Sequence, residues 1–173
     1  AGEVRTFEVK RTVAFEPKDS VEGTWKDEVP GSAVAAGFSI LLEKAADVPV
    51  GIILSCWGSS SLEAWMPRDL EEKFPLLKEQ MSLLDEGTEA RTRIQSALDG
   101  PKAWSRPDDI FMRRQSTILY NAMIHPLAPY ACRGLVWYQG ERKAANLDTL
   151  PKEPWYRRSI PALRYGEALK LWM

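Results

Sequence analysis

Four serines fall within seven residues, Ser55, Ser59, Ser60 and Ser61, and the single histidine of the chain is His125. A serine hydroxyl beside an imidazole base is the arrangement for nucleophilic acyl chemistry, provided the two meet at about 2.6–3.2 Å. GSSSL (Gly58 to Leu62) does not complete a Gly-x-Ser-x-Gly elbow, because position 62 is leucine. His125 precedes Pro126 at the entrance to a predicted strand, at the sheet edge expected to lie opposite Gly58. One reading of these residues is a serine–histidine dyad. The other is a loop histidine bonded to backbone at a helix end.

A second set of polar groups stands at the tip of an apolar run. In RGLVWYQGE, Leu135, Val136 and Trp137 read as a buried strand, whereas Gln139 and Glu141 would be left without partners inside one. The strand should therefore end there and hand its polar tip to a pocket. VPVGIILSCWGSSSLEAWMP (Val48 to Pro67) follows the same order of apolar run, tryptophan, glycine and small polar residues. From residue types alone, Gln139 is either an amide satisfied by backbone or a group acting on a ligand. Glu141 either serves the pocket or holds the following loop.

Other chemistries fit poorly. One histidine and two distant cysteines offer no ligand set for zinc. Cys56 and Cys132 flank different predicted strands, whose ends lie about 20 Å apart if parallel. A disulfide needs Cα atoms within about 7 Å, so two free, mostly buried thiols are expected. A net charge of −1 gives no electrostatic footprint for nucleic acid or an anionic membrane. No apolar run approaches the roughly 18 residues of a membrane helix. With 45% hydrophobic and 27% charged residues, the composition is that of a folded globular chain.

The elements that must position these groups are legible from periodicity. Val4 to Val9 alternates and reads as a strand, and Phe15 to Pro30 as a loop. Gly31 to Asp47 is the clearest helix, with Ser32 placed to cap it. Its Val34, Gly37, Phe38, Leu41, Leu42 and Ala45 are spaced as a buried face. Val50 to Ser55 follows Pro49 as a nearly continuous apolar strand. Such a helix-to-strand passage is the mark of an α/β fold with a parallel sheet.

Beyond Pro67 the chain reads as charged helix to about Asp99, broken near Glu86-Gly87, and Gly100 to Asp109 as a loop. Gln115 to Ile124 is a predicted helix packing Ile118, Leu119 and Ala122, ended by His125-Pro126. Gly134 to Tyr138 is the third strand, and Trp155 to Met173 an amphipathic helix interrupted at Pro161. Residues 1–173 form one domain. Both ends read as lying inside a larger fold. Trp57 and Trp137 are either core anchors or stacking platforms, and Trp65, after the glycine turn, is the better pocket candidate.

Taken together, VRTFEVKRT, VPVGIILSCWGSSSLEAWMP, LYNAMIHPLAPYACRGLVWYQGE and the downstream YRRSIPALRY…LW helix resemble the sialate O-acetylesterase group of SGNH hydrolases. The resemblance spans nearly the whole chain. It implies a flavodoxin-like three-layer αβα sandwich with a parallel sheet, incomplete at both ends. It also implies removal of O-acetyl groups from sialic acid or a related sugar by serine-type ester hydrolysis, with no metal or organic cofactor.

Carried over residue by residue, Gly58 matches the backbone N–H donor of the oxyanion hole and Gln139 its side-chain amide donor. Glu63, Trp65 and Glu141 match pocket-shaping or orienting positions. Ser59 stands where a second glycine is common, and Arg142-Lys143 where Ser-Asn is usual, which puts cations at the pocket rim. The family's nucleophile lies in a Gly-Gln-Ser-Asn segment and its histidine in an Asp-x-x-His segment, and neither occurs in these 173 residues. The expectation is the oxyanion half of a larger, secreted or periplasmic esterase, partnered by the remaining segments of the same enzyme. A non-catalytic carbohydrate-binding protein on the same scaffold and an acetylxylan-type esterase are the competing readings.

Overall fold

A computed structural model of the chain describes residues 3–73, 75–101, 103–140 and 165–172. Three strands form its sheet: β1 (Val4–Glu8), β2 (Trp25–Lys26) and β3 (Val50–Leu54), in the order β2-β1-β3. β1 and β3 run parallel in the register Val4↔Val50 to Glu8↔Leu54. Between them lies helix α1 (Ala33–Ala46), which completes the crossover that a parallel pair requires. The fold is therefore α/β. The sheet is mixed rather than purely parallel, because Trp25–Lys26, inside the predicted Phe15–Pro30 loop, pairs antiparallel with β1.

The boundaries of α1 follow its end chemistry. Ser32 accepts a hydrogen bond from the Ala35 N–H, and Asp47 closes the helix in the left-handed region at φ 52°. Its burial does not follow the pattern. Val34, Gly37, Phe38, Leu41, Leu42 and Ala45 are all exposed, Leu41 by 69%, and Ser39 is the buried residue of this helix. Among the described residues, no element covers that stripe.

The core lies instead beneath the later helices: α2 (Pro75–Ser82), α3 (Glu89–Asp99), α4 (Arg106–Met112) and α5 (Tyr165–Trp172). One cluster packs Trp57 and Trp65 against Ile118, Leu119, Ala122 and Met123, and a second packs Leu62, Met66, Leu77 and Met81 with Ala168 of α5. Gly87, at φ 81°, makes the predicted break between α2 and α3. Helix α4 begins inside the expected Gly100–Asp109 loop, where Ser105 caps it and Pro107 occupies its first turn.

The predicted Gln115–Ile124 helix is a π-helical turn over Tyr120–Ile124. His125-Pro126 does not end it, since a 3₁₀ turn His125–Leu127 follows directly. Asn121 locks this region to the N-terminal loop, with its side-chain N–H groups donating to the Ala14 and Phe15 carbonyls at 3.3 and 2.7 Å. The expected helix from Trp155 is described only from Tyr165 onward.

Gly134 to Tyr138 does not form the expected third buried strand. It pairs with no strand among the described residues, and Leu135, Val136 and Tyr138 are exposed. The segment is held through its side chains, with Trp137 and Gln139 bonded inward and Val136 and Tyr138 facing water. Exposure alternates only from Val136 to Gln139, since Leu135 is exposed as well. Both thiols are free, but the residues carrying them, Cys56 and Cys132, are exposed rather than mostly buried.

A candidate oxyanion site at the turn after the central strand

The chain leaves β3 through a tight turn, Trp57 to Ser60, closed by the Ser60 N–H donating to the Trp57 carbonyl at 3.3 Å. Ser59 occupies its third position at φ 59°, a left-handed conformation that explains why glycine suits this position. Gly58 is exposed, and a Cβ built on it would meet no atom within 4 Å. The side of this residue where a side chain would stand is therefore open. The turn is anchored on the other side by Arg114, whose Nε–H donates to the Ser59 carbonyl at 3.3 Å.

Gln139 reaches this turn from 79 positions away. Its side-chain N–H donates to the Ser60 carbonyl at 2.9 Å, and Nε2 lies 3.5 Å from Ser60 Oγ. Ser60 Oγ accepts the Trp65 indole N–H at 2.8 Å. At its far end, Gln139 meets Tyr165, whose hydroxyl oxygen lies 3.0 Å from Gln139 Oε1 and 3.1 Å from its main-chain oxygen. The Trp137 indole donates to that same hydroxyl at 3.0 Å. Gly140 follows at φ 146°, a backbone that a side chain rarely adopts.

The structure thus brings Gln139 onto the turn that carries Gly58 and Ser59. Glu63 and Trp65 join as supports rather than as an open pocket wall, being 1% and 3% exposed. The Glu63 carbonyl accepts the Thr117 N–H at 2.8 Å, which ties the turn to the core segment at Ile118. Trp65 stands edge-on to Trp137 at 6.4 Å, and Trp57 stacks on Trp104 at 5.7 Å, so the aromatic residues here are core anchors. Glu141 and Arg142 lie outside the described residues.

No dyad is assembled with His125. Its Nδ1 lies 3.2 Å from the Lys18 carbonyl, to which it donates, and its ring meets Tyr120 edge-on. Ser61 Oγ donates to the Arg114 carbonyl, and Ser55 Oγ to that of Met123. Sequence reasoning missed Arg114 and Tyr165, and named Ser60 only as a dyad candidate rather than as the partner of Gln139, because these contacts span tens of positions. Among the described residues, no group of acidic, histidine or cysteine side chains could hold a metal ion, and no helix is long and apolar enough to cross a membrane.

No protein-family model matches the chain. It is 30% identical over 163 residues to sialate O-acetylesterase of Rattus norvegicus, across 82% of this chain and 29% of that protein. The Homo sapiens protein of the same name is 32% identical over 111 residues, or 64% of this chain and 17% of its own length. Among solved structures, a carbohydrate acetylesterase from Xanthomonas citri aligns with a TM-score of 0.60 at 28% identity, over 98% of this chain and 29% of that one. The chain spans less than a third of the length of these relatives.

Proposed function

The chain is related to the sialate O-acetylesterase group of SGNH hydrolases, and on that premise we propose that it supplies the oxyanion-binding part of a carbohydrate esterase. The substrate would be an O-acetylated sialic acid or a related sugar. A serine attacks the acetyl carbonyl, and the oxygen that becomes negative is held by the Gly58 N–H and the Gln139 amide. Collapse of that intermediate expels the sugar oxygen, which leaves protonated as the free hydroxyl, and water then attacks the acetyl-enzyme to release acetate and the serine. The observation that carries this reading is the docking of the Gln139 amide on the turn that holds Gly58. An uncharged amide suits the task, because it donates to the developing oxyanion without a prior proton transfer.

The serine nucleophile and histidine base would come from the remaining segments of the same enzyme, within the SGNH sandwich. Two features support that partnership. The apolar stripe of α1 is uncovered, and the outer edge of β3 has no strand partner among the described residues. Exposed apolar surface next to an open strand edge suits further polypeptide. A secreted or periplasmic setting goes with a glycan substrate.

The test is hydrolysis of p-nitrophenyl acetate and of an O-acetylated sialic acid. Residues 1–173 alone should be inactive, and a longer protein with Gly-Gln-Ser-Asn and Asp-x-x-His segments active. Gln139→Ala in the longer protein should lower turnover about 100- to 1000-fold. Turnover by residues 1–173 alone, or an unimpaired Gln139→Ala enzyme, would overturn the proposal. The engagement of His125 with Lys18 favours one second reading, a carbohydrate-binding protein without catalysis. It would bind the acetylated sugar and leave the ester intact in the longer protein as well.

A further inference from the structure

We infer that Tyr165 is a positioning residue for Gln139, holding the Oε1 end of the side-chain amide so that its Nε2 end stays on the Trp57–Ser60 turn. The two ends of a carboxamide have nearly the same shape, so packing cannot choose between them and hydrogen bonding must. At the turn, the Ser60 carbonyl only accepts, and it takes the Nε2–H at 2.9 Å. At the other end, Oε1 takes the Tyr165 hydroxyl. The Trp137 indole is a donor only, and it occupies the acceptor side of the Tyr165 oxygen at 3.0 Å.

The Tyr165 hydroxyl donates toward Gln139, where Oε1 and the main-chain oxygen lie at 3.0 and 3.1 Å. The bonds run in one direction, from Trp137 through Tyr165 to Gln139 and on to Ser60. Rotating the amide by half a turn would set Oε1 against the Ser60 carbonyl, two acceptors face to face, and would give up the bond from Tyr165 to Oε1. In the observed orientation the second amide hydrogen has, among the described residues, only Ser60 Oγ, at 3.5 Å, too long for a good bond. It is the hydrogen that an incoming acceptor can take. That last consequence rests on the proposed function, whereas the orientation of the amide does not.

The experiment reads the two Gln139 side-chain hydrogens directly, by ¹⁵N-resolved NMR of residues 1–173, with their signals assigned by their loss in Gln139→Met. Tyr165→Phe removes one oxygen and keeps the ring. It should speed exchange of these hydrogens with water roughly two- to tenfold, as expected for one lost hydrogen bond. Unchanged exchange in a folded Tyr165→Phe protein would overturn the inference. Should that variant not fold, replacing tyrosine with 3-fluorotyrosine makes the hydroxyl a stronger donor without altering packing. The Gln139 signals should then shift, and unshifted signals would overturn the inference equally. Because the readout is the amide itself, it stands or fails independently of ester hydrolysis.

Discussion

Gln139 and Ser60, 79 positions apart, are joined by a 2.9 Å hydrogen bond from side-chain amide to main-chain carbonyl. That bond connects the tip of one apolar run to the turn that ends another. It explains why both runs finish in tryptophan, glycine and polar residues. Each tip has to meet the other.

Gly58 separates a steric from a chemical role. Its backbone is not left-handed, and an added Cβ would meet nothing within 4 Å. Gly58→Ala should leave stability to urea within about 0.5 kcal/mol of the parent, as surface changes do. If an acyl oxygen packs against this backbone, the same change in the longer esterase should lower turnover. Measuring both separates the two effects.

Ser59 carries a side chain at φ 59°. A non-glycine residue there costs roughly 1–2 kcal/mol, offset by about 0.4–1 kcal/mol of chain entropy that glycine would lose. Ser59→Gly should raise stability by about 0.5 kcal/mol, read as a higher urea midpoint. A lower midpoint would mean that the serine side chain contributes contacts to this turn.

How much of this could be read beforehand divides by the range of the interaction. The ends of α1 were legible because Ser32 and Asp47 act on their own neighbours. The burial of Ile118, Leu119 and Ala122 was legible from spacing. The burial of Leu41 or Leu135 depends on a second element lying over it, which local pattern cannot supply. The same limit hid Tyr165 behind Gln139, and it hid the burial of Glu63 and Trp65, which were expected on a pocket wall. The start of α4 is a different case, since Ser105 and Pro107 are local signals that the Gly100–Asp109 loop reading passed over.

Asp108 gives the chain a measurable acid dependence. Its hydrogen bond with Ser105, and then Arg93, hold its carboxyl below the usual carboxylate range. A carboxyl with a depressed folded value stabilises fully above its unfolded pKa, about 3.9, and loses that contribution as pH falls through the folded value. Asp108→Asn should therefore flatten the fall of the urea midpoint below about pH 4. An equally steep fall in the variant would assign the acid sensitivity to other groups.

Cys56 is exposed as a residue, yet burial around its sulfur pushes the thiol up from its ordinary value. Alkylation proceeds through the thiolate. Cys56 should react more slowly with iodoacetamide at pH 8 in the folded chain than in urea, as followed by peptide mass. Equal rates would mean that the sulfur is as well hydrated folded as unfolded.

Helix α1 buries a single residue, Ser39, along its fourteen. A helix of that length is marginal on its own in water, so its persistence depends on its two caps and on the one flank that touches the sheet. The cheapest opening of this molecule is therefore a local one. The amides of α1 should exchange, and its backbone be cut by protease, while the Tyr120–Ile124 turn, with Ala122 and Met123 fully buried, stays closed. The crossover that joins the two parallel strands should therefore open before that buried turn does.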